Sequence, residues 1–281
     1  MGRRKKKTKS RAAKVPSRYT AATADKHELY ELSVQSPETD IDFLLKVFAE
    51  ERGFPAKHFR EDFCGTGLMT SHWIRLGEDY TAEGFDIDRA TLDYGINRHF
   101  EPLGDIAKQA VLHQADVCEP SSRQPDVRSA QNFSYNVFKH RSELKKYFQA
   151  AYDDLPEHGI FVLDAHGGAE VYEAMEEETD VDEGFTYVWD QDEYWPVTHE
   201  AVNYIHFHFP DGTKMREAFR YDWRIWTLAE MRELLDEVGF SRIDCYWEGT
   251  DDDGESGDGE FSKTTLGEND LSWISYLSAL K

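Results

Sequence analysis

Between Lys57 and Asp88 the chain reads KHFREDFCGTGLMTSHWIRLGEDYTAEGFDID, a stretch that admits few folds. Gly65 and Gly67 let the backbone turn tightly and approach a ligand that a Cβ would block. Leu68 to Leu76 carries apolar residues at helical spacing, so the turn opens a helix whose first amides point back into it. A strand is predicted over Thr81 to Phe85, closing on Asp86, nineteen residues beyond Gly67. In doubly wound α/β proteins an acid about 20 residues past such a turn bonds ribose hydroxyls. Strand, glycine turn, helix, strand and acid together predict a nucleoside site; an ordinary structural turn is the plainer alternative.

The turn itself discriminates between nucleosides. A dinucleotide fingerprint places a third glycine where this chain has Thr70, and Glu61 stands at the end of the first strand. An anion there repels a pyrophosphate but suits the cationic amino-acid end of S-adenosylmethionine. On these residues the chain resembles the class I S-adenosylmethionine-dependent methyltransferases, whose first motif runs acid-x-G-x-G-x-G. Glu61 matches the motif acid, Gly65 and Gly67 its last two glycines, and Phe63 replaces the first. The resemblance implies a cofactor site of Glu61, Phe63, Cys64, Gly65, Gly67, Asp86 and Ile87. A nicotinamide cofactor is opposed by Glu61 and Thr70.

Composition sets the remaining bounds. The 281 residues are 40% hydrophobic and 14% aromatic, enough for a substantial core. No apolar run approaches the roughly 20 residues of a membrane span, and no signal peptide is read after the basic start. Cys64, Cys118 and Cys245 are too few and scattered for a disulfide framework or a zinc site, so a cytoplasmic setting is expected. Net charge is −23, yet Met1 to Arg18 holds nine Lys or Arg and no acid, leaving −32 on the rest. Residues 1–24 are expected to be a disordered basic tail, and 25–281 one methyltransferase-like domain. The tail fits either nucleic acid or the chain's own acidic body; the second is favoured, because so acidic a body repels a phosphate backbone. A saline habitat would also explain the acid excess.

Along the chain, Asp25 to Arg52 reads as two helical segments broken at Ser36 to Asp40. An N-terminal helix there often covers the cofactor in enzymes of the resembled class, which makes Tyr30 and Gln35 either pocket or packing residues. The first strand is unusual, since Lys57-His58-Phe59-Arg60 is polar for a central strand; Arg60 has candidate partners in Glu61, Asp62, a cofactor carboxylate or a surface acid. After a helix over Ala90 to Phe100, a third strand from Ala110 to Gln114 runs into Asp116 and Val117. The resemblance carries Asp116 over as the acceptor for the adenine amino group, which a carboxylate suits chemically, with Val117 beside it in the cofactor site; a helix-capping acid is the alternative for Asp116. Pro125 to Gln131 is the fourth strand, ending in Asn132-Phe133-Ser134-Tyr135. Ligands in open α/β sheets bind beyond the carboxyl ends of the strands at the switch point, so Asn132, Ser134 and Tyr135 are expected to face the transferring methyl group, with Asn132 beside the cofactor. Asn132 and Tyr135 are the candidate catalytic residues, and Tyr135 is also read as touching substrate.

Arg141 to Tyr152 continues as a helix and Gly159 to Asp164 as a fifth strand, followed by a turn at His166-Gly167-Gly168. Residues 165–221 read as a β-rich lid insertion. Glu173 to Glu183 is expected to be an acidic surface stretch, with strands over Phe185 to Trp189, Asn203 to Phe209 and Met215 to Arg220. Pro210-Asp211-Gly212-Thr213 forms a hairpin turn. The aromatic content of the lid fits packing, or a cage for a cationic amine. His206 and His208 share a strand face but lack companion ligands, so no metal is expected. His166, Arg224 and Trp226 are further candidates for the substrate side. Leu228 to Val238 is a helix with a Thr227–Glu230 capping box and a stop at Gly239. Phe240 to Trp247 and Trp273 to Leu280 form a closing antiparallel hairpin around a solvated, disordered acidic loop, Gly249 to Glu260.

The resemblance spans Tyr30 to Leu280 and is nearest to methyltransferase-like proteins of bacteria and plants. These share REDFCGT, here Arg60 to Thr66, an N-F-S-Y turn and a Y-x-W-R-x-W-T stretch, here Tyr221 to Thr227. It implies a doubly wound, Rossmann-like seven-stranded sheet with an antiparallel final hairpin. It further implies S-adenosylmethionine as cofactor and methyl transfer to a small or medium-sized acceptor, at N or O rather than C. An RNA-modifying enzyme docked by the basic tail and a non-catalytic nucleoside-binding protein are the alternatives.

Overall fold

A computed structural model describes residues 4–8, 18–250 and 257–281. The other tail residues and loop residues 251–256, both expected to lack order, lie outside the described residues. Along the chain the strands are β1 (Arg4–Thr8), β2 (His58–Asp62), β3 (Thr81–Asp86), β4 (Ala110–Gln114), β5 (Val127–Ala130), β6 (Ile160–Gly167), β7 (Met175–Val181), β8 (Phe185–Trp195), β9 (Glu200–His208), β10 (Lys214–Arg224), β11 (Arg242–Thr250), β12 (Gly257–Thr264) and β13 (Trp273–Leu280). The α-helices are α1 (Lys26–Val34), α2 (Pro37–Arg52), α3 (Leu68–Ile74), α4 (Arg89–Gly95), α5 (Arg141–Asp154) and α6 (Leu228–Val238). They form two compact units, one of Ser36–Tyr135, His140–Gly168 and Thr227–Lys281, the other of Met1–Gln35, Asn136–Lys139 and Ala169–Trp226.

The first unit is built on an eight-stranded sheet in the order β12-β11-β13-β6-β5-β2-β3-β4. Strands β2 to β6 run parallel, whereas β13, β11 and β12 are antiparallel additions. The expected sheet is present with an eighth strand at its edge. That strand, β12, begins inside the acidic stretch expected to be an unpaired loop: Gly257 sits opposite Thr250 and residues 261–264 sit opposite residues 245–248, with a register shift between the two. Chain order reverses between β2 and β5, so the switch point lies at Phe63 and Gln131.

Alternation sorts the side chains of β2 to two faces. Phe59 points to the face covered by α2 and α3, where it stacks on Trp73 at 4.7 Å. Ile41, Leu44, Val47 and Phe48 recur at helical spacing on α2 and bury there with Ala82, Val127 and Val162. The opposite face carries His58, Arg60 and Asp62, each under 4% exposed, beside Glu83 and Arg128 of the flanking strands. This explains the polar first strand. Arg60 and Arg128 donate from Nε to the two oxygens of Asp62, at 2.8 and 2.7 Å, and both reach Asp154 of α5. Tyr147 of α5 donates to Asp62 at 2.7 Å, and the Phe85 ring lies 3.6 Å below the Arg60 guanidinium. Two buried cations thus meet two buried anions, the condition for keeping such charges out of water.

The second unit holds a sheet in the order β1-β7-β8-β9-β10, antiparallel except where β1 joins β7. Two expectations are corrected here. Glu173 to Glu183 is not merely an acidic surface stretch: Met175–Val181 pairs with β8 through its backbone, which charge on the side chains does not prevent. Within the basic tail, Arg4–Thr8 is a strand in parallel register with Met175–Thr179, Lys6 lying 3.6 Å from Glu170 and 3.8 Å from Glu177. Leu29 of α1 buries with Phe185, Ile205, Phe207 and Phe209, flanked by Tyr30, Trp189, Phe219 and Tyr221. The aromatics of this unit pack on one another, Tyr221 lying 4.6 Å from Trp223. His206 is a structural residue: its Nε2 pairs with Asp190 at 3.0 Å, and its Nδ1 accepts from the Glu217 amide at 2.7 Å in the bulge of β10. Among the described residues no helix is long and apolar enough to cross a membrane.

Candidate functional site

The glycine turn leaves the carboxyl end of β2 with Phe63, Gly65 and Gly67 in the left-handed region, at φ 54°, 55° and 68°. For Phe63 this is a strained conformation of the kind that collects at ligand sites. The turn is fastened to β3: the Cys64 amide donates to the Phe85 carbonyl at 2.9 Å, and the Gly65 amide to Asp86 Oδ2 at 2.9 Å. Asp86 Oδ1 accepts from the Asp88 amide at 2.8 Å. Burial raises the Asp86 carboxyl above its ordinary value. Ile87, the next residue, is 75% exposed.

Glu61 is 4% exposed, and its Oε2 accepts both the amide and the hydroxyl of Thr70, at 2.9 and 2.5 Å. Thr70, standing where a dinucleotide site has glycine, therefore has a use of its own. Burial pushes the Glu61 carboxyl up to about 8, with the Thr70 bonds offsetting only part of that cost. Cys64 is buried, and burial raises its thiol well above the usual range, so it is a packing residue of the turn and not a nucleophile.

Sequence reasoning missed Gly95, at the end of α4. A Cβ there would stand 1.8 Å from the Thr66 carbonyl oxygen, so helix α4 lies directly against the turn. A glycine inside a helical pattern was the available signal.

Beyond β5, Asn132 and Phe133 also take left-handed conformations, at φ 57° and 56°. Asp164 of β6 holds both: its Oδ2 accepts the Asn132 amide at 2.6 Å and its Oδ1 the Phe133 amide at 2.9 Å. Burial nevertheless carries the Asp164 carboxyl up to about 8. The ring of His166 lies 4.2 Å from that of Phe133, and burial lowers its imidazole to about 4, so it is neutral at neutral pH.

Tyr135 requires a correction. It is 1% exposed, its hydroxyl donates to the Asp164 carbonyl at 2.9 Å, and burial raises the phenol well above its ordinary value. A phenol so placed neither touches an acceptor nor takes its proton; it braces the Asn132 turn. Asp116 lies two residues past β4, exposed, accepting the Cys118 amide at 2.8 Å. Val117 is buried, and its carbonyl accepts from both Arg60 and Arg128.

The first unit therefore contains Glu61, Phe63, Cys64, Gly65, Gly67, Asp86, Ile87, Asp116, Val117, Asn132, Tyr135 and His166. Arg224 and Trp226, with Tyr30 and Gln35, belong to the second. There the Arg224 guanidinium lies 3.6 Å over the Trp226 ring and donates to the Lys139 carbonyl, while the Trp226 indole donates to Phe138.

No family model matches the chain, and no curated protein matches it in sequence. Solved structures do match. An S-adenosylmethionine-dependent methyltransferase from Clostridium acetobutylicum is 18% identical, with a TM-score of 0.67 over 90% of this chain and 97% of the other. CalS10, an amino pentose methyltransferase of Micromonospora echinaspora solved with S-adenosylmethionine bound, is 14% identical, with a TM-score of 0.63 over 90% and 95%. KedS8, a sugar N-methyltransferase of Streptoalloteichus, is 16% identical, with a TM-score of 0.57 over 97% and 99%. The chain has the fold of the class I S-adenosylmethionine-dependent methyltransferases.

Proposed function

We propose that this protein is an S-adenosylmethionine-dependent methyltransferase acting on a small or medium-sized acceptor, at nitrogen or oxygen. The observation that carries the reading is the pair of left-handed turns at the switch point, one anchored by Asp86 and one by Asp164. The donor set suits the cofactor. Asp86 and Asp116 offer carboxylate oxygens, which complement ribose hydroxyls and an exocyclic amine and would repel a pyrophosphate, while Glu61, kept protonated at neutral pH by its burial, can ionise opposite an arriving ammonium group. A Cβ built on Gly65 would meet nothing nearer than Thr91 at 3.9 Å, so the turn presents bare backbone. Ile87 offers an apolar face for the base.

When bound, the sulfonium supplies an electrophilic methyl group. The protein's part is placement, since in-line transfer depends on holding two reactants in a near-attack geometry. The Gly65 turn and Asp86 fix the nucleoside, and the Asn132–Phe133 turn stands where an acceptor approaches. His166, uncharged at neutral pH, can accept a hydrogen bond from an amine or hydroxyl. An uncharged amine needs no strong base to attack a sulfonium, which fits a Tyr135 withdrawn from that role. The sugar N-methyltransferase and the amino pentose methyltransferase among the similar structures make amino sugars the first acceptors to try.

Calorimetry with S-adenosylmethionine and with NAD tests the cofactor. Micromolar binding of the first and none of the second is expected, followed by S-adenosylhomocysteine release in an amino-sugar screen. Binding of NAD in preference, or of neither ligand, overturns the reading.

A further inference from the structure

Residues 115–126, between β4 and β5, cross the sheet face with no helix. Parallel strands are usually joined through a helix, whose own hydrogen bonds fix its position. Here strands supply the fixing. The Val117 carbonyl accepts from Arg60 Nη2 at 2.8 Å and from Arg128 Nη2 at 2.5 Å, and the Glu119 carbonyl from Arg60 Nη1 at 2.8 Å. Ser121 donates through its hydroxyl to Asp154 at 2.7 Å and through its amide to the same carboxylate at 2.8 Å. Two fully buried guanidinium groups thus converge on one carbonyl, one residue from Asp116. Stability alone does not call for this, because well-packed apolar residues commonly replace buried ion pairs without loss. Among the described residues β4 ends the sheet, and no further strand there braces Asp116 from outside.

We propose that Arg60 and Arg128 are positioning residues for the base end of the nucleoside: by fixing the Val117 carbonyl they hold the Asp116 carboxylate where it selects an amino-bearing base. This inference rests on reading the site as a nucleoside site. The planar guanidinium fork matters here as much as its charge. Lysine keeps the charge opposite Asp62 but replaces a directed fork with a point charge, so Arg128→Lys isolates the geometry.

The test is calorimetric binding of S-adenosylhomocysteine and of its inosine counterpart to the full chain, with thermal unfolding as the control for folding. The wild type is expected to prefer the adenine form by about tenfold, the scale of one good hydrogen bond to a charged group. Arg128→Lys should bring that ratio close to one. Ser121→Ala, which removes the hydroxyl linking Arg60 to Asp154, should lower it less while the protein stays folded, and it decides alone if the lysine variant does not fold. An unchanged ratio in folded variants overturns the proposal. Equal wild-type affinity for both ligands also overturns it while leaving the cofactor reading standing, and binding of neither removes both.

Discussion

Asp86 holds the Gly65 amide with one oxygen and the Asp88 amide with the other, so its loss frees the glycine turn and removes the ribose acceptor together. Asp86→Ala should weaken S-adenosylmethionine binding by at least about tenfold, the value of a charge-assisted bond. Gly65→Val should do the same by another route, because a β-branched residue at φ 55° is strained by about 1–3 kcal/mol. Calorimetry that found either variant binding normally would remove the site assignment. Tyr135→Phe separates bracing from chemistry. Loss of its bond to the Asp164 carbonyl should cost about 1 kcal/mol in denaturant unfolding and leave the pH profile of turnover unmoved. A shifted profile would restore the phenol as an acid or base.

At the scale of elements, the close approach of α4 to the glycine turn is the contact least tolerant of change. Gly95→Ala puts a methyl carbon on the Thr66 carbonyl, and neither helix nor turn is a flexible side chain that can swing aside. Destabilisation of about 3 kcal/mol is expected, at the upper end of overpacking costs, with loss of cofactor affinity; a fully stable variant would disprove the close approach. Glycine spacing, the run to Asp86 and the capping box at Thr227 made the parallel core and α6 legible, because each is a local rule with a local signature. Strand β7 was not legible, since MEEETDV has the side chains of a solvated surface while its pairing is a backbone matter. Of the partners of Arg60, Asp62 was among the sequence candidates and is one. The others were not legible, because they come from α5 and the 117–121 loop, joined only by the fold. Tyr135 was misread for the same reason: position beyond a strand end is a sequence fact, whereas the direction of a side chain depends on its neighbours.

Charge governs the molecule as a whole. A net charge of −23 works against compactness at high pH, and the basic strand Arg4–Thr8, with Lys6 near Glu170 and Glu177, offsets some of it locally. Buried carboxyls add a sharper dependence. Burial raises Glu61 and Asp164 to about 8 in the folded chain, whereas an unfolded chain ionises them near the ordinary value of about 4. Between those values the folded state holds protons that the unfolded state has released, so stability falls as pH rises. Glu83 acts in the opposite sense. Burial would raise it, but bonds from His58, Ser122 and Arg123 together bring it below the ordinary range. Its contribution is present above about pH 4.5 and is lost as pH falls further. Thermal unfolding should therefore show greatest stability near about pH 5 and a decline towards pH 8. Glu61→Gln keeps an acceptor for the Thr70 amide and hydroxyl but removes one of the two raised titrations, and because His166, lowered to about 4, works against the decline below about pH 6.5, the decline should shrink to about half or less. A wild-type profile flat from pH 5 to 8 would mean that Glu61 and Asp164 ionise normally in the fold, and that the anionic end of the site is already charged before any cation arrives.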